Sequence, residues 1–132
     1  MDARVRSRYK PPGARAAYTM EKLLFVCSRN RLRSLTAEKY FEASPLYQVR
    51  SVGTQPDARI VVAEGHIGWA DTIFCMEKSH LNRLRLKFPE ALHGKRVVCL
   101  QIPDDYGFMD QDLLDEFRAK LPQYVTLPDE QD

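Results

Sequence analysis

The chain has 132 residues, 44% of them apolar and 29% charged, with 20 Lys and Arg against 18 Asp and Glu for a formal net charge of +2. That length suits one domain with one real core, and the near-balance of charge excludes both a bulk polycation and a largely disordered acidic chain. Composition gives no argument for nucleic acid, and no apolar run approaches the roughly 18 residues of a membrane span or the roughly 7–15 of a signal-peptide core, so a soluble, cytosolic chain without a membrane partner is expected.

In chain order, residues 1–20 carry Arg4, Arg6, Arg8, Lys10 and Arg15 against Asp2 alone, a local charge of +4 that leaves −2 for the rest. Pro11-Pro12-Gly13 breaks the segment and no apolar periodicity crosses it, so it reads as a flexible basic extension to a single domain over residues 21–132. A short basic arm without aromatic interleaving has little specificity for a polyanion, and a solvated tail is the plainer reading.

From Lys22 onward short apolar runs alternate with helical patterns, the signature of βαβ units on a parallel sheet. Lys22–Val26 reads as the first strand, and Ser34–Ala43 as a helix burying Leu35, Ala37, Tyr40 and Phe41. Gln48–Ser51 is a shorter, more polar strand that belongs at an edge, and Ala58–Trp69 is helix-like but interrupted by Gly65 and Gly68. Thr72–Met76 is a nearly continuous apolar strand covered on both faces. Ser79–Phe88 is a helix, with the charges between Lys78 and Lys87 on a solvated face, and Arg96–Ile102 is another buried strand. Gln111–Leu121 carries an apolar stripe of Leu113, Leu114, Phe117 and Leu121 and ends at Pro122.

Three cysteines, an odd count, make no disulfide framework. Cys75 and Cys99 lie on separate strands, 24 residues apart, and read as small buried apolar residues rather than a thiol relay. His66, His80 and His93 show no ligand spacing, so no metal is expected, and Trp69 reads as core.

Cys27-Ser28-Arg29-Asn30-Arg31-Leu32-Arg33-Ser34 joins the first strand to the first helix. With 3 cysteines and 13 arginines among 132 residues, a Cys and an Arg separated by five residues arise by chance about three times in ten. A following Ser or Thr brings that to about one in forty, and a strand before with a helix after to well below about one in a hundred. A loop wrapping at a helix N-terminus aims backbone N–H groups at one point, where an anion is held by those donors and by the dipole. The same field favours the thiolate of Cys27, and the Ser34 hydroxyl is placed to stabilise it. Arg33 offers a planar fork for two equatorial phosphoryl oxygens.

The segment LLFVCSRNRLRS resembles the phosphate-binding loop of the low-molecular-weight protein tyrosine phosphatases. Ser51-Val52-Gly53-Thr54 resembles that family's turn after the second strand, ADTIFCME its third strand, and Ile102–Asp112 its acid loop, so the likeness runs from about Lys22 to Leu121. The resemblance implies a three-layer α/β fold, a four-stranded parallel sheet of order 2-1-3-4 with helices on both faces and the site at the carboxyl ends of the strands. It implies Cys27 as nucleophile, Arg33 as phosphoryl clamp, Ser34 as thiolate hydrogen-bond donor and Asn30 as brace of the loop, with Ser28, Arg29, Arg31 and Leu32 lining the substrate. A gapless match of Pro103-Asp104-Asp105-Tyr106 puts Asp104 on the general acid and Tyr106 beside a substrate ring. Asp105 is the alternative acid, and in a third reading both acids cap the helix after Gly107.

Arg29 stands where the family usually has Gly, which predicts a cost in backbone freedom, Leu32 stands where a second Cys is common, and Leu35 where Pro is usual at the helix start. The stretch from Thr54 to Thr72 is shorter than the family's and Gln55-Pro56-Asp57 brings no aromatic, so a wall of the specificity pocket is expected to be missing. The expected activity is cysteine-dependent phosphomonoester hydrolysis, on a phosphotyrosine protein, without cofactor. The alternatives are a module that binds a phosphorylated ligand without turnover, and a phosphatase for small or nucleotide-like phosphates drawn by Arg29, Arg31 and Arg33.

Overall fold

The computed structural model describes residues 20–130; the basic segment apart from Met20 lies outside them. The strands are β1 (Glu21–Cys27), β2 (Tyr47–Gly53), β3 (Thr72–Cys75) and β4 (Arg96–Cys99), and the helices α1 (Arg33–Phe41), α2 (Glu64–Trp69), α3 (Lys78–Lys87), α4 (Pro89–Leu92) and α5 (Gln111–Lys120). The strands form one sheet in the order β2-β1-β3-β4, every pair parallel, so the expected topology holds. β2, the more polar strand, is at an edge.

Side-chain alternation on β1 divides the interior in two. Leu23, Phe25 and Cys27 face one way and pack with Ala37 and Phe41 of α1 and Leu113, Leu114 and Phe117 of α5. Leu24 and Val26 face the other way, against Ile67 of α2, Leu84 of α3 and the half-buried Ala91 and Leu92 of α4. Helices therefore cover both faces, and the sheet is the middle of three layers. Phe25 stacks between Phe41 and Phe74, at centroid distances of 5.7 and 5.1 Å.

Two elements are shorter than the sequence pattern predicts. Residues 58–63 are not helical: Gly53 donates to Ile60 O (2.8 Å) and Val62 donates to Gly53 O (2.9 Å), so this stretch, rich in β-branched residues, runs beside the end of β2 as a one-residue extension of the sheet. β4 stops at Cys99 although Leu100 and Ile102 are buried. Both still donate to β3's end, to Cys75 O and Met76 O at 2.8 Å, but Gln101 between them has φ 56°, which breaks the ladder and turns the chain over the carboxyl ends of the strands. α5 is capped by Asp110, whose carboxylate accepts from Asp112 N at 2.8 Å, so the capping role lies with neither Asp104 nor Asp105.

Candidate active site

β1 ends at Cys27 and α1 begins at Arg33, so residues 28–32 must wrap between a strand end and a helix N-terminus. Four consecutive carbonyls of this loop are drawn outward by the segment after β2. Thr54 N donates to Cys27 O (3.0 Å), Gln55 N to Ser28 O (2.9 Å), Arg59 N to Arg29 O (3.0 Å) and Arg59 Nε to Asn30 O (3.1 Å). Because each trans peptide unit sets its N–H opposite its C=O, outward carbonyls turn the amides of residues 28–31 inward, toward the unpaired first-turn amides of α1. One of these, Asn30 N, donates to Cys27 Sγ at 3.2 Å.

Only Asn30 within the loop is left-handed, with φ 58°, a conformation Asn tolerates. The predicted backbone cost of Arg29 in place of Gly therefore does not arise. Asn30 is fully buried, and its Nδ2 donates to Ser34 Oγ and Ser51 Oγ, both at 2.8 Å, while Ser51 Oγ donates to Glu38. Ser34 Oγ lies 3.0 Å from Cys27 Sγ and 3.3 Å from Val52 O. Since Asn30 already donates into this oxygen, its single proton is free for the sulfur or the carbonyl.

Arg33 is 2% exposed. Its Nη1 donates to Glu77 Oε1 (2.9 Å) and to Ile102 O (2.8 Å), the carbonyl that the turn at Gln101 delivers. Its Nε stands 3.7 Å from Asp104 Oδ1, so the Nε–Nη2 edge stays available for two oxygens of a ligand. Cys27, Ser28, Arg29, Arg31, Leu32, Arg33 and Asp104 line one cavity of about 240 Å³. Asn30 and Ser34 sit buried beneath it, and Asp105 is exposed outside it. Tyr106 is also outside, half-buried against the α5 side of the core. At the mouth Arg29 pairs with Asp57 at 3.1 Å, whose carboxyl it holds below its usual range.

Sequence reasoning missed Glu77, the 54–59 strap and His80. His80 is 1% exposed. Its Nδ1 accepts from Glu77 N at 3.0 Å, which puts the ring proton on Nε2, and Nε2 donates to Ser28 Oγ at 2.9 Å. Burial, helped by the positive charge of Arg33, pushes its pKa down to about 4, so the ring is neutral at pH 7 and the Ser28 O–H is left to point into the cavity. A signal was present: Glu77 followed three residues later by His80 at a helix start is an N-terminal capping pattern. Cys75 and Cys99, though far apart in sequence, are register partners on β3 and β4. Among the described residues, no three His, Cys, Asp or Glu side chains gather into a metal-holding set, and no helix is long and apolar enough to cross a membrane.

No family model and no curated protein matches the sequence. Solved structures do match. The arginine phosphatase YwlE from Geobacillus stearothermophilus is 20% identical, with TM-score 0.58 over 80% of this chain and 98% of that one. The low-molecular-weight protein tyrosine phosphatase from T. tengcongensis is 19% identical, with TM-score 0.63 over 80% and 99%. The tyrosine phosphatase Wzb from Escherichia coli K30, in complex with phosphate, is 16% identical, with TM-score 0.64 over 86% and 100%. With its strand order and its strand-to-loop-to-helix junction at Cys27, the chain has the fold of the low-molecular-weight protein tyrosine phosphatases.

Proposed function

We propose that the protein is a cysteine-dependent phosphomonoester hydrolase acting on phosphotyrosine in proteins. The observation that carries this reading is the loop whose four outward carbonyls turn its amides onto Cys27, with Arg33 and Asp104 on the same cavity. The Cys27 thiolate attacks phosphorus in line, forming an S–P bond while the ester P–O bond breaks, and the leaving oxygen takes its proton from the Asp104 carboxyl. Water then attacks phosphorus, gives a proton to Asp104, and releases phosphate as the S–P bond breaks. Inward amides and the free edge of Arg33 stabilise the charge on the equatorial oxygens in both steps.

A second reading, a phosphatase for small anionic phosphates, is favoured by the mouth of the cavity, where Arg29 and Arg31 stand and no aromatic ring takes part in the lining. The two readings part in a substrate panel of phosphotyrosine peptides against nucleotide and sugar phosphates, where the peptides are expected to lead. The decisive measurement is hydrolysis of nitrophenyl phosphate with a chelator present. Wild type is expected to turn over, and Cys27→Ser to be inactive while still binding phosphate or vanadate, because a hydroxyl keeps the loop's shape but is a far weaker nucleophile at neutral pH. Turnover surviving in Cys27→Ser ends the thiol mechanism. An inactive wild type that binds phosphate leaves a binding module.

A further inference from the structure

The turn at residues 101–104 separates two cavities. Asp104 faces the one over Cys27, whereas Gln101 and Pro103 line a second, of about 680 Å³, together with Glu77, Lys78, Leu81 and Arg85. The two adjoin through Glu77, whose carboxylate takes Arg33 Nη1 at 2.9 Å and whose side chain also borders the second cavity.

Charge in the second cavity is unbalanced. Lys78 and Arg85 are exposed and make no hydrogen bond or ion pair among the described residues. Glu77, the one carboxylate in the lining, is committed to Arg33. The cavity therefore offers two unneutralised cations, with Leu81 and the methylene stems of Lys78 and Arg85 as an apolar wall.

We propose that this cavity is a specificity subsite for an acidic side chain of the substrate, close in sequence to the phosphorylated residue; the proposal rests on the reading that the substrate is a phosphoprotein. A peptide held by its phosphoryl group over Cys27 has to leave that cavity at its mouth, and on one side the mouth is bounded by Asp104. An extended chain crossing Asp104 and Pro103 advances about 3.3–3.6 Å per residue, so a residue a few positions along arrives over Lys78 and Arg85. A basic side chain arriving there meets two like charges, since Glu77 is already paired. With no ring lining the mouth of the first cavity, flanking contacts of this kind are what remains to discriminate between phosphoproteins.

The test compares kcat/KM for three phosphotyrosine peptides of equal length bearing Glu, Ala or Lys at the flanking positions, with wild type, Lys78→Glu, Arg85→Glu and the double variant. Both positions are exposed, so the substitutions are expected to be tolerated, and a ratio of two substrates on one protein cancels any loss of folded fraction. Wild type is expected to prefer the Glu peptide over the Lys peptide by about fivefold to tenfold, the sum of two exposed ion pairs. The double variant is expected to invert the order, and in about 0.5 M salt the wild-type preference is expected to shrink. A wild-type ratio near one, or a double variant that keeps the wild-type order, overturns the subsite and leaves the phosphatase reading standing. Failure of wild type to hydrolyse the peptides and nitrophenyl phosphate alike overturns that reading, and the subsite with it.

Discussion

Arg33 divides its guanidinium between two tasks, one nitrogen tied to Glu77 and Ile102 O and one edge turned to the cavity. Lysine keeps the charge but has a single nitrogen for both. Arg33→Lys is therefore expected to lower kcat/KM for nitrophenyl phosphate by about 10²–10³, the size of losing an oriented transition-state donor. A near-wild-type rate would move the phosphoryl clamp to Arg29 or Arg31. Asp104→Asn is expected to hurt phenyl phosphate severely and nitrophenyl phosphate little, because a general acid matters in proportion to the leaving oxygen's need for a proton; Asp105→Asn is expected to show no such contrast. His80 supplies a pH test. Its ring stays neutral down to about pH 4, whereas an unfolded histidine protonates near 6.5. Its contribution is thus fully present above pH 6.5 and is lost as pH falls through that window toward 4, at most about 3 kcal/mol. Denaturant melts between pH 7 and 4 should be flatter for His80→Gln than for wild type. The contiguous part of the site was legible in the sequence, because Cys27 to Ser34 is one loop whose chemistry follows from its order. Glu77, His80 and Arg59 act through hydrogen bonds across 29 to 52 residues of sequence, and no local pattern ties them to Cys27.

At the scale of elements, the turn after β2 is what shapes the loop. A Cβ on Gly53 would stand 2.5 Å from Ser28 O and 2.6 Å from Ala58 Cβ, and Ser28 O is one of the carbonyls held outward. Gly53→Ala is expected to cost about 1–3 kcal/mol as an overpacked site and to lower kcat/KM as the strap lifts from the loop; a calorimetric melt and one rate assay check both. Gly68 lies inside α2 with open space where a Cβ would be. Gly68→Ala should accordingly stabilise the protein by about 0.5–1 kcal/mol. Strand existence and type were legible because β1, β3 and β4 are nearly continuous apolar runs. The ends were not. Residues 58–63 have a helical apolar spacing, but their amides and carbonyls find Gly53 and Arg29 first, a tertiary pairing that outcompetes local periodicity. The stop of β4 depends on the left-handed backbone at Gln101, a residue type that gives no such warning.

On the scale of the whole molecule, Cys27 hangs on an inner strand paired on both sides and Asp104 on one of the least enclosed segments. β1 pairs with both β2 and β3, and its residues 23–27 are buried on both faces. Residues 103–108 are exposed apart from the half-buried Tyr106, and among the described residues the amides of 104–108 donate to no backbone carbonyl. Local opening free energy follows such differences in burial and hydrogen bonding. Amides of Leu24, Phe25 and Val26 are therefore expected to exchange with solvent only through global unfolding, and those of 104–108 at nearly unprotected rates, so that Asp104 can move against a fixed Cys27. An oxyanion bound over Cys27 recruits the inward amides of the loop and stabilises the native state by mass action, about 2.7 kcal/mol at a hundredfold excess over Kd. Hydrogen exchange with and without vanadate should then show slowing in two places: at residues 28–33, by direct protection, and throughout β1, by that global increment. Slowing at the loop without any change in β1 would mean that the loop opens independently of the sheet that carries it, and that the rigidity of β1 does not extend past Cys27.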